Sequence, residues 1–152
     1  MSGLATAAPA YANLTLILEM VMGVGLLVGA FLARIRRFRQ HAWCQSVIVL
    51  VNLLLIVLTM LPSFRVHVAL KIPLRLGKSY YGLATAHAAL GTLAELGGLY
   101  ILLAAGTRLL PPQFRISNYK LWMRTVLALW WTVLLLGAAT YARWYIPNLF
   151  RK

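Results

Sequence analysis

The sequence predicts an all-α protein, an integral membrane four-helix transmembrane bundle forming one domain over residues 1–152, and three observations carry the prediction. Of 152 residues, 62% are apolar and only 11% charged, with a mean hydropathy of +0.80. A soluble domain carries roughly 45–50% apolar and about 25% charged residues, so water is the wrong solvent for this chain. The charges are lopsided: 15 lysines and arginines stand against two acids, a net +13. Nucleic-acid binders share such a balance but not such an apolar composition, so no nucleic acid is expected as a partner. Third, four apolar runs are each long enough to span a bilayer, which takes about 20 residues at ~1.5 Å rise per residue. Together these exclude a soluble enzyme, a disordered tail and a secreted disulfide scaffold.

The first span is expected over residues 13–33, ending at the cluster Arg34, Arg36, Arg37 and Arg39. No basic residue precedes it, which argues against a cleaved signal peptide and for retention of this helix. The second, 43–61, is expected to stop at Pro62, because proline cannot donate to the helical ladder. The third, 80–107, precedes Arg108 and the Pro111-Pro112 pair, and the fourth, 121–146, precedes Pro147. Trp43, Trp122, Trp144 and the Tyr80-Tyr81 pair fall at span ends, where aromatic rings anchor at the headgroup level. Cys44 is the only cysteine, so neither an internal disulfide nor a cysteine-based zinc site is available.

Orientation follows from the basic residues. Placing the first and third connections inside puts eight bases there and seven on the other side, which decides nothing. The arginine cluster directly after the first span tips the balance toward both termini outside the cytoplasm. The second connection intersperses Arg65, Lys71, Arg75 and Lys78 with Val66, Val68, Leu70, Ile72, Leu74 and Leu76. Such a segment suits the headgroup layer, with bases on anionic lipid phosphates and aliphatics dipped inward, or an acidic partner. The arginines of the first connection offer the same contacts.

Both acids, Glu19 and Glu95, fall within spans, where a charge costs ~2.5–3.5 kcal/mol on insertion scales and normally faces the bundle interior. Relative depth pairs them with other polar groups. Glu19 lies ~9 Å into the first span and His87 ~10 Å into the third from the same side. Glu95 at ~22 Å falls near Asn52, which enters from the other side and lies ~17 Å from the face at which Glu95's depth is counted, and near Thr132. This gives one layer of Glu19 and His87 and another of Glu95, Asn52 and Thr132. Ala84, His87, Ala88, Gly91, Ala94, Glu95 and Gly98 share one face of the third span, and Gly25 and Gly29 form a seam on the first. Small residues at such spacing let helices approach closely. Two readings stay open: interhelical packing and hydrogen bonding, or a haem, metal or proton site built on His87, Glu19 and Glu95. His41, beside the arginines, reads as interfacial. His67 is the one histidine that shares a side with His87, as a bis-histidine haem would require. No nucleophile elbow, HExxH or phosphate-cradling glycine loop is present, and two acids are too few for carboxylate-rich metal chemistry.

From Asn13 to Tyr145 the chain resembles the YozB-like (CtaM-type) four-helix bacterial membrane proteins associated with haem–copper cytochrome c oxidase and its assembly. The likeness rests on the arginine-rich turn running into His41, on His87 within ATAHAALG, and on Arg124, Trp130, Gly137 and Tyr141 in the fourth span. The family pattern has four histidines; its second position is Ser63 here, with His67 one turn later, and its fourth is Tyr119. Only His41 and His87 carry over. The resemblance implies a non-catalytic accessory subunit or assembly factor working among other subunits of a respiratory complex. The residues also leave open a small cytochrome holding haem b through His87 and His67, and a proton-coupled transporter using Glu19 and Glu95.

Overall fold

The computed structural model describes residues 8–72, 77–107, 109–114 and 117–146. Among the described residues, four spans are formed by α1 (Ala10–Arg34), α2 (Phe38–Leu55) continued by α3 (Leu61–His67), α4 (Ser79–Gly106) and α5 (Tyr119–Tyr145). Each span is long and apolar enough to cross a membrane. At 25 residues, α1 is ~37 Å long, more than the ~30 Å hydrocarbon core. Short connections make successive spans antiparallel, and closest packing runs α1 to α2, α2 to α4, α4 to α5 and α5 back to α1. The result is an up-down-up-down ring in which α1 and α4 face each other diagonally.

The outside of the ring is as apolar as the inside. On α1, exposed Leu14, Ile17, Val21, Val24, Val28 and Phe31 run along one stripe, opposite buried Glu19, Met22, Leu26 and Gly29. Such a surface would aggregate in water but is the ordinary exterior of a protein solvated by lipid tails. Threonine hydroxyls along the spans, on the surface as well as inside, find partners locally. The hydroxyls of Thr15, Thr59, Thr85, Thr92 and Thr140 each donate to the carbonyl four residues earlier, at 2.8 Å. This satisfies them without a neighbouring helix.

Helices α1 and α2 are joined by only three residues. Arg37 N–H donates to the Leu32 carbonyl at 2.9 Å and Arg36 N–H to the Ala33 carbonyl at 3.1 Å, closing the end of α1. Arg36 pivots this cap with φ of 61°, the left-handed region that glycine normally occupies there. An L-residue in that region costs ~1–2 kcal/mol, against the ~0.4–1 kcal/mol by which glycine's extra freedom favours the unfolded chain. Arg36→Gly is therefore expected to stabilise the detergent-solubilised protein, by up to about 1 kcal/mol. SDS-titrated unfolding followed by circular dichroism measures this; a lower midpoint would show that the arginine's own contacts outweigh the strain.

Beyond the turn, the glycine seam of α1 receives α2 closely. Cys44 Sγ donates to the Gly25 carbonyl at 3.4 Å, Gln45 Nε2 to the Leu26 carbonyl at 3.5 Å, and His41 Nδ1 lies 2.8 Å from the Gly29 carbonyl. A Cβ on Gly25 would stand 2.9 Å from Ile48 Cδ1. The core lies at this level, where Met22, Leu26, Ile48, Val49, Ala94 and Trp130 are buried together.

The second span departs from expectation. It does not stop at Pro62 but continues as helix to His67, through a π-helical turn over Ile56–Met60. Proline's ring would clash with the carbonyl four residues back and lacks a donor; a wider turn just before it accommodates both defects. Part of the segment expected in the headgroup layer is consequently folded. Arg65 lies on α3, Ala69–Lys71 forms a 3₁₀ turn, and Val68 is fully buried against Tyr81 and Ala84. Lipid contact by its aliphatics suits Val66 and Leu70, 65% and 82% exposed, but not Val68.

Candidate functional site

The π turn shapes the interior. Past it, the second span leaves the close backbone contact with α1 and α4 that α2 makes, and side chains such as Phe64 reach inward to pack on Val68, Tyr81 and Ala84. Between them lies a cavity of about 320 Å³ lined by residues of all four spans. Its wall is largely apolar, with Met22, Ile56, Phe64, Trp130 and Trp144 among the lining residues. A second hollow of about 130 Å³ adjoins it, and Glu19, Met60, Ser63, His87, Thr140 and Trp144 line both. Exposed Leu61 and Thr92 also line the larger cavity, which therefore opens sideways between the second span and α4, at a level where the surroundings are lipid.

Glu19 and His87, on diagonally opposed helices, are brought together at the boundary of these hollows by Gly137 of α5. A Cβ at Gly137 would lie 2.9 Å from His87 Cε1 and 3.0 Å from Glu19 Oε2. Only the missing side chain lets the two groups share that place. His87 is fixed by its other neighbour, with Nδ1 3.0 Å from the Val133 carbonyl of α5. That contact requires Nδ1 to carry a proton, so in the neutral ring the lone pair is on Nε2. Glu19 is only 7% exposed. No lysine or arginine among the described residues lines either hollow, so its carboxyl meets no counter-charge there.

Glu95 sits behind the wall of the larger cavity, which its partner Asn52 lines. It is 4% exposed and does not line the cavities; its Oε2 accepts from Asn52 Nδ2 at 2.8 Å, linking α4 to α2. The other oxygen, Oε1, is buried without a partner among the described residues. Thr132 does not join this layer. Its depth is right but its face is wrong: the side chain is exposed on α5 and donates to the Ala128 carbonyl of its own helix at 3.0 Å. The polar group that α5 sends inward at this level is Trp130, whose indole N–H donates to the Ala94 carbonyl at 3.0 Å. Gly98 beside it leaves room for α2, since a Cβ there would be only 3.2 Å from Val49 Cγ2, while the indole nitrogen at 3.7 Å would be at ordinary contact distance.

The three histidines stand apart. His41 contacts the Gly29 carbonyl at the end of the bundle that carries the first connection, far from His87. His67 is exposed and lies edge-on to Trp144, ring centres 6.4 Å apart, and does not line either cavity. It is therefore not brought to His87, because Val68, the next residue, turns inward and leaves His67 facing out. These positions do not fit a haem held between two histidines. Ser63 lines the cavity with His87, while the Tyr119 hydroxyl donates to the Ala104 carbonyl at the opposite end.

The bases remain outside. Arg34, Arg36, Arg37, Arg39, Arg65, Lys71 and Lys78 are all exposed, in positions open to lipid phosphates or an acidic partner. Arg75 lies outside the described residues. Sequence reasoning named Gly137 only for the resemblance and missed its place in the site, and it missed the π turn before Pro62. A lone glycine in the middle of a spanning helix was the available signal for the first. It also missed the Tyr141 hydroxyl donating to Asn13 Oδ1, which joins α5 to α1.

Fold and site together define a multi-pass membrane protein of four spans whose interior holds a polar pair at a laterally open cavity. Comparison with protein-family models, curated proteins and solved structures finds no match.

Proposed function

We propose that this chain is a non-catalytic accessory subunit or assembly factor of a respiratory electron-transfer complex, of the haem–copper cytochrome c oxidase type, in a bacterial cytoplasmic membrane with both termini outside. The resemblance to the YozB-like proteins motivates the reading. The observation that carries it is the separate engagement of the histidines: His41 on Gly29, His87 on Val133 and His67 beside Trp144. Used singly in this way, they join or flank helices rather than forming a ligand pair. The exposed bases at both ends supply contacts for anionic lipids and for acidic neighbouring subunits.

The test is purification of the tagged chain from native membrane in mild detergent. Haem-bearing oxidase polypeptides should accompany it, and deletion of the chain should lower the oxidase absorbance of the membranes. A chain that migrates alone with its own Soret band, lost in His87→Ala, would replace this reading with a small cytochrome. What favours that second reading is the free Nε2 of His87, a ring that lines both hollows. A proton path through both acids has less support, because Glu95 does not line the cavities.

A further inference from the structure

We propose that the cavity is a binding site for a lipophilic organic cation, with Glu19 as its counter-charge and Trp130 and Trp144 in its wall. Three observations lead there. The cavity, about 320 Å³, falls within the size range of small-molecule sites, about 300–1,000 Å³. It opens at exposed Leu61 and Thr92, on the bundle flank facing lipid, so its ligand enters from the bilayer and is itself lipid-soluble. The buried carboxyl of Glu19 lines it with no lysine or arginine alongside among the described residues.

A buried carboxylate without a partner is costly, and a cation delivered from the membrane removes that cost by pairing with it. Indole rings in the same wall add attraction for a cation that is poorly hydrated. His87, with Nδ1 committed to the Val133 carbonyl, stands beside Glu19 at the Gly137 notch. Glu95 supplies an internal control: it is equally a buried acid, but it is bonded to Asn52 and does not line the cavity.

The experiment uses the full chain in nanodiscs, titrated with methyltriphenylphosphonium and followed by quenching of tryptophan fluorescence. Saturable binding is expected, at least about tenfold tighter than for uncharged triphenylphosphine oxide. Glu19→Gln should weaken phosphonium binding by at least about tenfold and Glu95→Gln by less than about twofold. Ala88→Leu, which narrows the cavity without touching Glu19, should block both compounds. Equal binding of phosphonium and oxide overturns the proposal and makes this a pocket for neutral lipids. Undiminished binding in a folded Glu19→Gln protein, or no binding by the parent chain, also overturns it. If Glu19→Gln loses its helicity, the comparison of the two compounds on the parent chain and on Ala88→Leu still decides.

Discussion

Gly137→Leu is expected to destabilise the bundle by about 3 kcal/mol, and Gly137→Ala by about 1 kcal/mol, the range found for overfilling a packed interior. The added Cβ meets His87 Cε1 at 2.9 Å and Glu19 Oε2 at 3.0 Å. Glu19 can retreat, since the contact is with the end of a flexible side chain. His87 cannot do so without giving up the Val133 carbonyl, 3.0 Å away. SDS-titrated unfolding in mixed micelles measures the loss. Gly106→Ala is the control, because a Cβ there meets nothing within 4 Å, and its effect should stay within about 0.5 kcal/mol. If crowding is the cause, adding His87→Ala to Gly137→Ala should recover part of the loss, as expected for contacting residues. Additive effects, or a Gly137→Leu protein as stable as its parent, would mean that the two groups do not meet at this glycine.

Asn52→Leu should cost about 1–3 kcal/mol. The bond itself is a minor part, since interhelical hydrogen bonds in membranes average only ~0.6 kcal/mol. The larger part is the desolvation of Glu95. Its Oε1 already lacks a partner among the described residues, and removing Asn52 takes the donor at 2.8 Å from Oε2 as well. Glu95→Leu in the same protein should restore much of the stability, because replacing both partners by apolar groups leaves nothing orphaned. A double variant no more stable than Asn52→Leu alone would indicate that the cost comes from packing between α2 and α4.

The spans were readable because lipid imposes a single requirement on every residue of a crossing helix, and apolar runs of that length have few other uses. Span ends were less so. Pro62 reads as a stop in sequence, yet the π turn before it carries the helix on to His67. Proline limits which helical geometry is possible, while packing decides whether an alternative is adopted. Depth was also readable, since rise per residue is fixed, and it brought Glu19 near His87 and Asn52 near Glu95. Facing was not. In a helix apolar on all sides, periodicity no longer distinguishes interior from exterior, and Thr132 therefore sat at the right level on the wrong side.

The sequence by itself determined the solvent, the number of crossings, the basic ends and the confinement of both acids to the membrane, because composition and rise per residue suffice for each. Only the tertiary structure decided what the acids do. Glu95 is bonded to Asn52 in a helix interface, whereas Glu19 is left beside His87 at an open cavity. That difference depends on the rotation of each helix about its axis and on the redirection of the second span at the π turn. Both are set by how side chains of different spans interlock, through contacts between residues as distant in the chain as Glu19, His87 and Gly137.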